Sequence, residues 1–270
     1  MSNKFAGYYY KHHNGEKTVA FIPGISADGA FIQVITDDRS YNFPLPSITM
    51  GSIVEAEGCR FSTKGMEINL PPINGKIKYS GITPLQSDIM GIFKYFPMEC
   101  RHGVVSMRHR LDGYLNIDGQ TIDFTDGTGY IEKDSGRSFP SSYTWLQCND
   151  FADQTSIMVS LAVIPFMGMH FNGCICAIIF DGKEYRLATY KGVKAQATAN
   201  SIKLNQGIYR LEIDIENNHK GHALASPVLG KMSGIVHENN HAHARFRFFV
   251  RDKLLFDKTS NHVSFERFNN

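Results

Sequence analysis

The 270-residue chain has 42% apolar and 20% charged residues and a formal net charge of +2, which describes a folded globular protein and excludes a disordered or strongly polyanion-seeking one. No Lys/Arg cluster exceeds a few residues, so the footprint of a nucleic-acid binder is missing, and no apolar run reaches the roughly eighteen residues of a membrane-spanning helix. The opening MSNKFAGYYYKHH lacks the apolar stretch of a secretory signal, and Cys59, Cys100, Cys148, Cys174 and Cys176 form an odd set without disulfide-framework spacing; both point to a cytoplasmic location.

In chain order, the first segment reads as a strand carrying His12 and His13, one of which must face inward. Asn-Gly and Asp-Gly then recur at Asn14, Asp28, Asn74, Asp112, Asp118, Asp126, Asn172 and Asp181, and such dipeptides supply the positive φ of tight hairpins. Between them lie short β-branched and aromatic runs: AFIQVIT, KIKYSGI, GYLNID, QTIDF, SIMVSLAVI, CICAIIF, EYRLATY, YRLEIDIE and ARFRFFV. None sustains a 3.6-residue period, so the expectation is an all-β, antiparallel protein with little helix. Cys174 and Cys176 share a strand face and read as packed thiols. His237, His241 and His243 sit in an Asn-rich stretch expected to be a solvated hairpin, without the partners of a zinc site.

Gly7-Tyr8 with Lys11 recurs as Gly129-Tyr130 with Lys133, and Ala27-Asp28 with Ile32 and Val34 recurs as Ala152-Asp153 with Ile157 and Val159. Two matches in one order at nearly one offset suggest a duplicated unit, with halves at residues 1–124 and 125–270. Half-chain units of short antiparallel strands suit small, partly closed barrels with room for one apolar ligand. Residues 37–50 form a polar, Pro-punctuated connection. The irregular stretch Thr83 to Arg101 gathers Met90, Phe93 and Phe96, either as a wall or lid over such a ligand or as a loop that covers a barrel end with its own core contacts. Just beyond it Glu99 and Arg101 share one face, and Cys100 and His102 the other, with His102 a further ligand-binding candidate.

The stretch from Asp126 to Phe151, DGTGYIEKDSGRSFPSSYTWLQCNDF, concentrates the candidate chemistry. Strand alternation sends Tyr130, Glu132 and Asp134 to one face and Ile131 and Lys133 to the other. Two carboxylates sharing a pocket face cannot both ionise cheaply, so one is expected to hold a proton near neutral pH. Asp134, beside the Gly136 turn, is the preferred proton donor, with Glu132 orienting or pairing. Tyr130, Tyr143 and Trp145 are candidate aromatic walls, and Lys133 or Arg137 would neutralise whichever carboxylate stays charged. The alternative is a structural ion-pair network in which Lys133 or Arg137 bridges the acids. Neither a GxGxxG nor a GxxxxGK[ST] loop nor a GxSxG elbow occurs. No cofactor and no metal are therefore expected.

GYIEKDSGRSFPSSYTWLQCNDF, together with FAGYYYKHH from Phe5, AFIPGIS from Ala20, SDIMGIFKYFPMECRHGVVSMRH from Ser87 and SPVLGKMSG from Ser226, resembles the tocopherol cyclase-like family over nearly the whole chain. Ser135 stands where that family usually has a tryptophan, and Ala6 and Tyr8 stand where an acid and a tryptophan are usual, departures that bear on the substrate more than the fold. The resemblance implies two tandem lipocalin-like antiparallel β-barrel halves. It also implies acid-catalysed ring closure, in which a prenyl alkene is protonated and a phenol oxygen captures the tertiary cation. That chemistry asks for a protonated carboxylic acid, aromatic faces and a dry cavity. The other reading keeps the barrels and drops the chemistry, leaving a lipocalin-type carrier of a prenyl-lipid or terpenoid. Either way the partner is a small hydrophobic ligand, consistent with transient membrane contact, and no sequence feature specifies an oligomer.

Overall fold

The computed structural model describes residues 4–166, 169–217 and 221–269. Almost all regular structure is strand, and the described helical content is two short 3-10 turns, Gly91–Tyr95 and Thr189–Lys191. The first sheet is built from β1 (Phe5–His13), β2 (Thr18–Ser26), β3 (Gly29–Thr36), β4 (Ser40–Leu45), β5 (Ile48–Thr49), β6 (Ile53–Ala56), β7 (Cys59–Ser62), β8 (Gly65–Leu70), β9 (Ile73–Ser80), β10 (Cys100–Ile117), β11 (Gln120–Asp123) and β12 (Thr128–Gly136). The second comprises β13 (Ser142–Cys148), β14 (Ser156–Phe166), β15 (Met169–Phe180), β16 (Lys183–Ala188), β17 (Lys194–Ala197), β18 (Ser201–Gln206), β19 (Tyr209–Asn217), β20 (His222–Val228), β21 (Lys231–Val250) and β22 (Lys253–Asn269).

The first sheet runs β4-β3-β2-β1-β12-β10-β9-β8-β7-β6-β5 with β11 on β10, and the second β16-β15-β14-β13-β22-β21-β19-β18-β17 with β20 on β21. Both are antiparallel, and neither order is closed by a pair between its end strands among the described residues. The fold is thus lipocalin-like as expected, but the sheets are open and not closed barrels.

The outer strands show why these sequences form sheets. In β8 and β9, Met66, Ile68, Ile73, Ile77 and Tyr79 are buried while Glu67, Asn69, Lys76 and Lys78 alternate with them toward solvent, the period-two pattern of a half-buried strand. They pack with Tyr10, Phe21, Ile32, Phe61 and Leu115 into one apolar core, and Leu146, Val159, Cys176, Phe246, Phe248 and Phe265 belong to a second core. The central strands are different. In β1, β12 and β13 consecutive residues are buried, so both faces of the strand are covered.

Several hairpin expectations hold at Asp118, Asp126 and Asp181, whose φ values are 52°, 64° and 49°. Asn74-Gly75, Asp112-Gly113 and Asn172-Gly173 lie instead inside β9, β10 and β15. At the first two the glycine serves close strand approach: a Cβ on Gly75 would collide with the Tyr114 carbonyl, and one on Gly113 with the Lys76 carbonyl. The stretch holding His237, His241 and His243 is also strand, within β21, and not the hairpin expected from its asparagines.

The chain divides into two compact units: residues 1–85, 100–139 and 224–235 in one, and 86–99, 140–223 and 236–270 in the other. The sequence reading placed the division at 124/125. In the structure β12 hydrogen-bonds between β1 and β10 and so lies in the first unit. The Gly7/Gly129 match therefore relates antiparallel neighbours of one sheet and not copies of a repeat. The topological correspondence pairs β1 with β13 and β12 with β22. Tyr10 faces Phe21 and Ile131 across its two ladders, and Leu146 faces Val159 and Phe265 across the same two ladders of the second sheet.

Two segments leave their sequence neighbours. Residues 86–99 join the second unit, where the Arg186 guanidinium donates to the carbonyls of Asp88 (3.0 Å) and Ser87 (3.2 Å) and the Tyr190 hydroxyl donates to that of Ile89 (3.0 Å). Residues 224–235 join the first. There the Gln33 side chain donates to the Ala225 carbonyl at 3.0 Å and accepts from the Ala225 N–H at 2.7 Å, and the Gly230 N–H donates to the Arg137 carbonyl at 2.6 Å.

Candidate active site

The acids singled out from the sequence converge on a histidine. Register places Asp134 opposite His102, Glu132 between Tyr9 and Val104, and Tyr130 opposite Lys11. Ile131 points into the apolar core, so alternation sends Tyr130, Glu132 and Asp134 to the opposite face, as expected. His102 Nδ1 lies 2.9 Å from Asp134 Oδ1, and its Nε2 lies 3.4 Å from Glu132 Oε2. The Tyr130 hydroxyl donates to Glu132 Oε2 at 2.5 Å. The result is a row, Asp134–His102–Glu132–Tyr130, in which each polar side chain touches the next.

Burial grades along this row. Tyr130 is fully buried and Glu132 is 5% exposed, while the side chains of His102 and Asp134 keep 14% and 21%. Burial, the Glu132 carboxylate and then Asp134 push the Tyr130 phenol well above its ordinary pKa, so it stays a neutral donor. The Tyr9 ring meets Tyr130 edge-on at 6.5 Å. The Cys100 thiol lies 3.9 Å from Asp134 Oδ1. His102, Glu132 and Asp134 offer donor atoms within 4.8 Å of one another, a set that could hold a cation. As placed, each imidazole nitrogen faces its own carboxylate, and only one could turn to a metal, so the arrangement suits holding and moving a proton.

The remaining candidates are distributed. Lys133 is exposed, its side chain lying along Gly103, and Arg137 is exposed with its carbonyl engaged by Gly230. Tyr143 and Trp145 are buried in β13 of the second unit. Met90, Phe93 and Phe96 also belong to that unit: Met90 is buried, and Phe93 stacks on Phe171 at 5.6 Å and meets Tyr190 edge-on at 6.4 Å. The bridging of the acids by Lys133 or Arg137 gives way, in the contacts seen, to His102 and Tyr130. Sequence reading overlooked Tyr9 and Lys11, which are 7% and 1% exposed on the face that carries Glu132. Alternation within FAGYYYKHH separates them from Tyr8 and Tyr10, but nothing in the sequence shows that β1 lies beside β12.

A family model described as "Tocopherol cyclase-like" matches residues 48–266. The chain belongs to the tocopherol cyclase-like family. A rice (Oryza sativa subsp. japonica) protein described as "Probable tocopherol cyclase, chloroplastic" is 22% identical over 223 residues, 76% of this chain and 46% of its own length. This tocopherol cyclase-like chain thus spans less than half of that relative. Among solved structures, CghA is similar with a TM-score of 0.68 at 9% identity, over 100% of this chain and 90% of that one. Kievitone hydratase from Nectria haematococca is similar with a TM-score of 0.54 at 13% identity, over 98% and 89%. At these identities the two likenesses speak for the fold. No described helix is long and apolar enough to cross a membrane.

Proposed function

We propose that this protein catalyses an acid-initiated cyclisation, or the related hydration or isomerisation, of a prenylated phenol, quinol or terpenoid, with Glu132 as the proton donor. The observation that carries the reading is the buried Glu132 carboxyl held between the Tyr130 hydroxyl and His102. Protonating an alkene needs an acid kept neutral until used, and burial in apolar surroundings favours the neutral form of a carboxyl group. The turn-side position that favours Asp134 in the sequence is outweighed by its greater exposure and its contact with His102 Nδ1, which suit it to fix the imidazole. His102 then lets the Glu132 proton exchange with solvent between turnovers. Tyr9 and Tyr130 supply aromatic faces for a developing tertiary cation.

In ring closure the Glu132 proton goes to the alkene carbon, the phenol oxygen bonds to the tertiary cation, and the phenol proton returns to Glu132. Substrate and product are isomers, so protons balance without a redox partner. In hydration a water supplies the captured oxygen and the returned proton. The family membership and the curated relative's description support the cyclase form, and the kievitone hydratase fold likeness keeps hydration within reach of the same acid. The test is turnover of a prenylated hydroquinone by the purified protein. Wild type should convert it and Glu132→Gln should bind it without converting it; binding without turnover by wild type would favour the carrier reading.

A further inference from the structure

Residues 86–99 are firmly anchored and yet hold large apolar side chains out in solvent. Besides the Arg186 and Tyr190 hydrogen bonds to this segment, the Gln86 N–H donates to Glu184 Oε2 at 2.7 Å and the Met90 N–H to Asp88 Oδ1 at 2.8 Å. Gly91, with a φ of 55°, lies so near the Tyr190 ring that a Cβ there would collide with it. The 3-10 turn Gly91–Tyr95 that follows repeats every three residues, so Ile92 and Tyr95 stand one above the other on a single face. Phe93 turns the other way, to Phe171 and Tyr190. Ile92 is left 58% exposed and Tyr95 78%. Met169, on the same face of β15 as Phe171 by strand alternation, is 71% exposed.

The charges around this apolar tip are of one sign. The Lys94 ammonium lies 4.9 Å from the centre of the Tyr95 ring, and Lys191 is exposed on the second 3-10 turn, Thr189–Lys191, against which the first one packs. No Asp or Glu occurs from Ile89 to Met98. Of the acids packed beneath, Asp88 is engaged by the Met90 N–H and Glu184 by Gln86 and Arg186; Glu99, past the end of the run, is the exposed acid nearest in sequence. Protruding apolar and aromatic side chains flanked by lysines are the composition of a segment that lies in a membrane interface. Three side chains offer on the order of a few hundred Å², well short of the roughly 800 Å² per partner of a stable protein complex. A bilayer, being deformable, needs no such complementary area.

We propose that this tip of the second unit docks on the surface of an anionic lipid bilayer. Ile92, Tyr95 and Met169 enter the boundary between headgroups and acyl chains, and Lys94 and Lys191 meet the headgroup phosphates. The anchoring hydrogen bonds matter to this, because a turn already held in its docked shape loses little conformational freedom when it inserts. The inference goes beyond the acid role of Glu132 and does not rest on it.

The test is co-flotation of the full chain with vesicles of phosphatidylcholine alone and of an equal mixture of phosphatidylcholine and phosphatidylglycerol. Wild type should float with the mixed vesicles and much less with the neutral ones. Ile92→Ser combined with Tyr95→Ser should weaken partitioning at least about tenfold, and Lys94→Gln and Lys191→Gln about fivefold each. Tyr114→Ser, at an aromatic residue 59% exposed in the first unit, should change nothing. A second readout covers loss of folding in the double variant: Tyr95→Trp should shift its emission to the blue on mixed vesicles and be quenched by brominated acyl chains, against the constant signal of the buried Trp145. No flotation of wild type, equal flotation with both vesicle types, unchanged partitioning of the folded double variant, or a Tyr95→Trp signal that ignores the vesicles would overturn the proposal. So would self-association of the lipid-free chain that the double variant abolishes, which would assign the tip to a second copy. No turnover enters these readouts, so their failure and failure of the Glu132 reading are separately visible.

Discussion

The Tyr130 hydroxyl donates a 2.5 Å hydrogen bond to the Glu132 carboxyl group from two residues away on the same strand face. Both groups are buried, so the phenol cannot be replaced by water without opening the sheet. Removing the donor should therefore be felt in stability as well as chemistry. Tyr130→Phe is expected to cost about 1–3 kcal/mol, the range for leaving a buried acceptor without its donor, read from urea midpoints, and to lower turnover more than it lowers ligand affinity. A variant as stable as wild type would show that Glu132 does not depend on this donor.

His102 and Asp134 form the exposed end of the row, and Asp134 touches the imidazole nitrogen remote from Glu132. Asp134→Asn should leave substrate binding near wild type and reduce kcat by roughly tenfold to a hundredfold, less than loss of the proton donor itself, since general acids contribute about a hundredfold to ten-thousandfold. Steady-state kinetics across pH would also show a displaced profile, because Asn removes the carboxyl group that faces His102 Nδ1. A change in KM alone would assign Asp134 to binding.

Two histidines in the first core make stability acid-sensitive. His12 is wholly buried, accepting from or donating to the Tyr79 hydroxyl at 2.6 Å, and the His109 ring lies tilted against the Tyr79 ring with centroids 4.5 Å apart. Burial holds each down to about 3, with only a small opposing bond from Val19 at His12 and some repulsion from His12 at His109. The unfolded chain takes up these protons near the ordinary value of about 6.5, the folded chain only near 3. Between those limits the unfolded state binds more protons, so stability is complete above about pH 6.5 and is lost as pH falls toward 3. The slope is up to about 1.4 kcal/mol per pH unit for each histidine. Urea denaturation from pH 7 to pH 4.5 should show that fall, and His109→Asn should reduce the slope; a flat profile in the wild type would contradict the buried neutral assignment.

Gly75 carries a φ of 146° where β9 runs closest to β10. Gly75→Ala should destabilise by more than about 1 kcal/mol, since alanine is strained at positive φ and its methyl would meet the Tyr114 carbonyl. The measurement is a thermal midpoint beside that of Gly119→Ala, which also has positive φ but open space around it. Equal losses would mean that the strand spacing adapts.

What was legible in the sequence follows period and spacing. Alternation in TGYIEKDSG was enough to put Tyr130, Glu132 and Asp134 on one face, and the absence of 3.6-residue periodicity was enough for the fold class. Strand order was not legible, because ladders join residues far apart in sequence. Thus Gly129-Tyr130-Lys133 looked like a copy of Gly7-Tyr8-Lys11 when the two strands are neighbours, and Tyr9 and Lys11 were missed beside Glu132. The blocks SDIMGIFKYFPMECRHG and SPVLGKMSG were visible as motifs. Their structural work, carrying residues 86–99 and 224–235 into the unit opposite to their chain neighbours, depends on distant partners such as Arg186 and Gln33 that no local pattern names.

The most direct test of the account is ring closure in D2O by wild type, Glu132→Gln and Asp134→Asn, using a prenylated hydroquinone without added cofactor. If Glu132 delivers the proton, wild type forms the cyclic isomer with one carbon-bound deuterium next to the new ether carbon. Glu132→Gln, nearly isosteric, should stay folded and bind substrate but lose about a hundredfold to ten-thousandfold in rate, with Asp134→Asn between the two. Full activity in Glu132→Gln, or product free of solvent deuterium, would contradict the assignment of Glu132 as the acid.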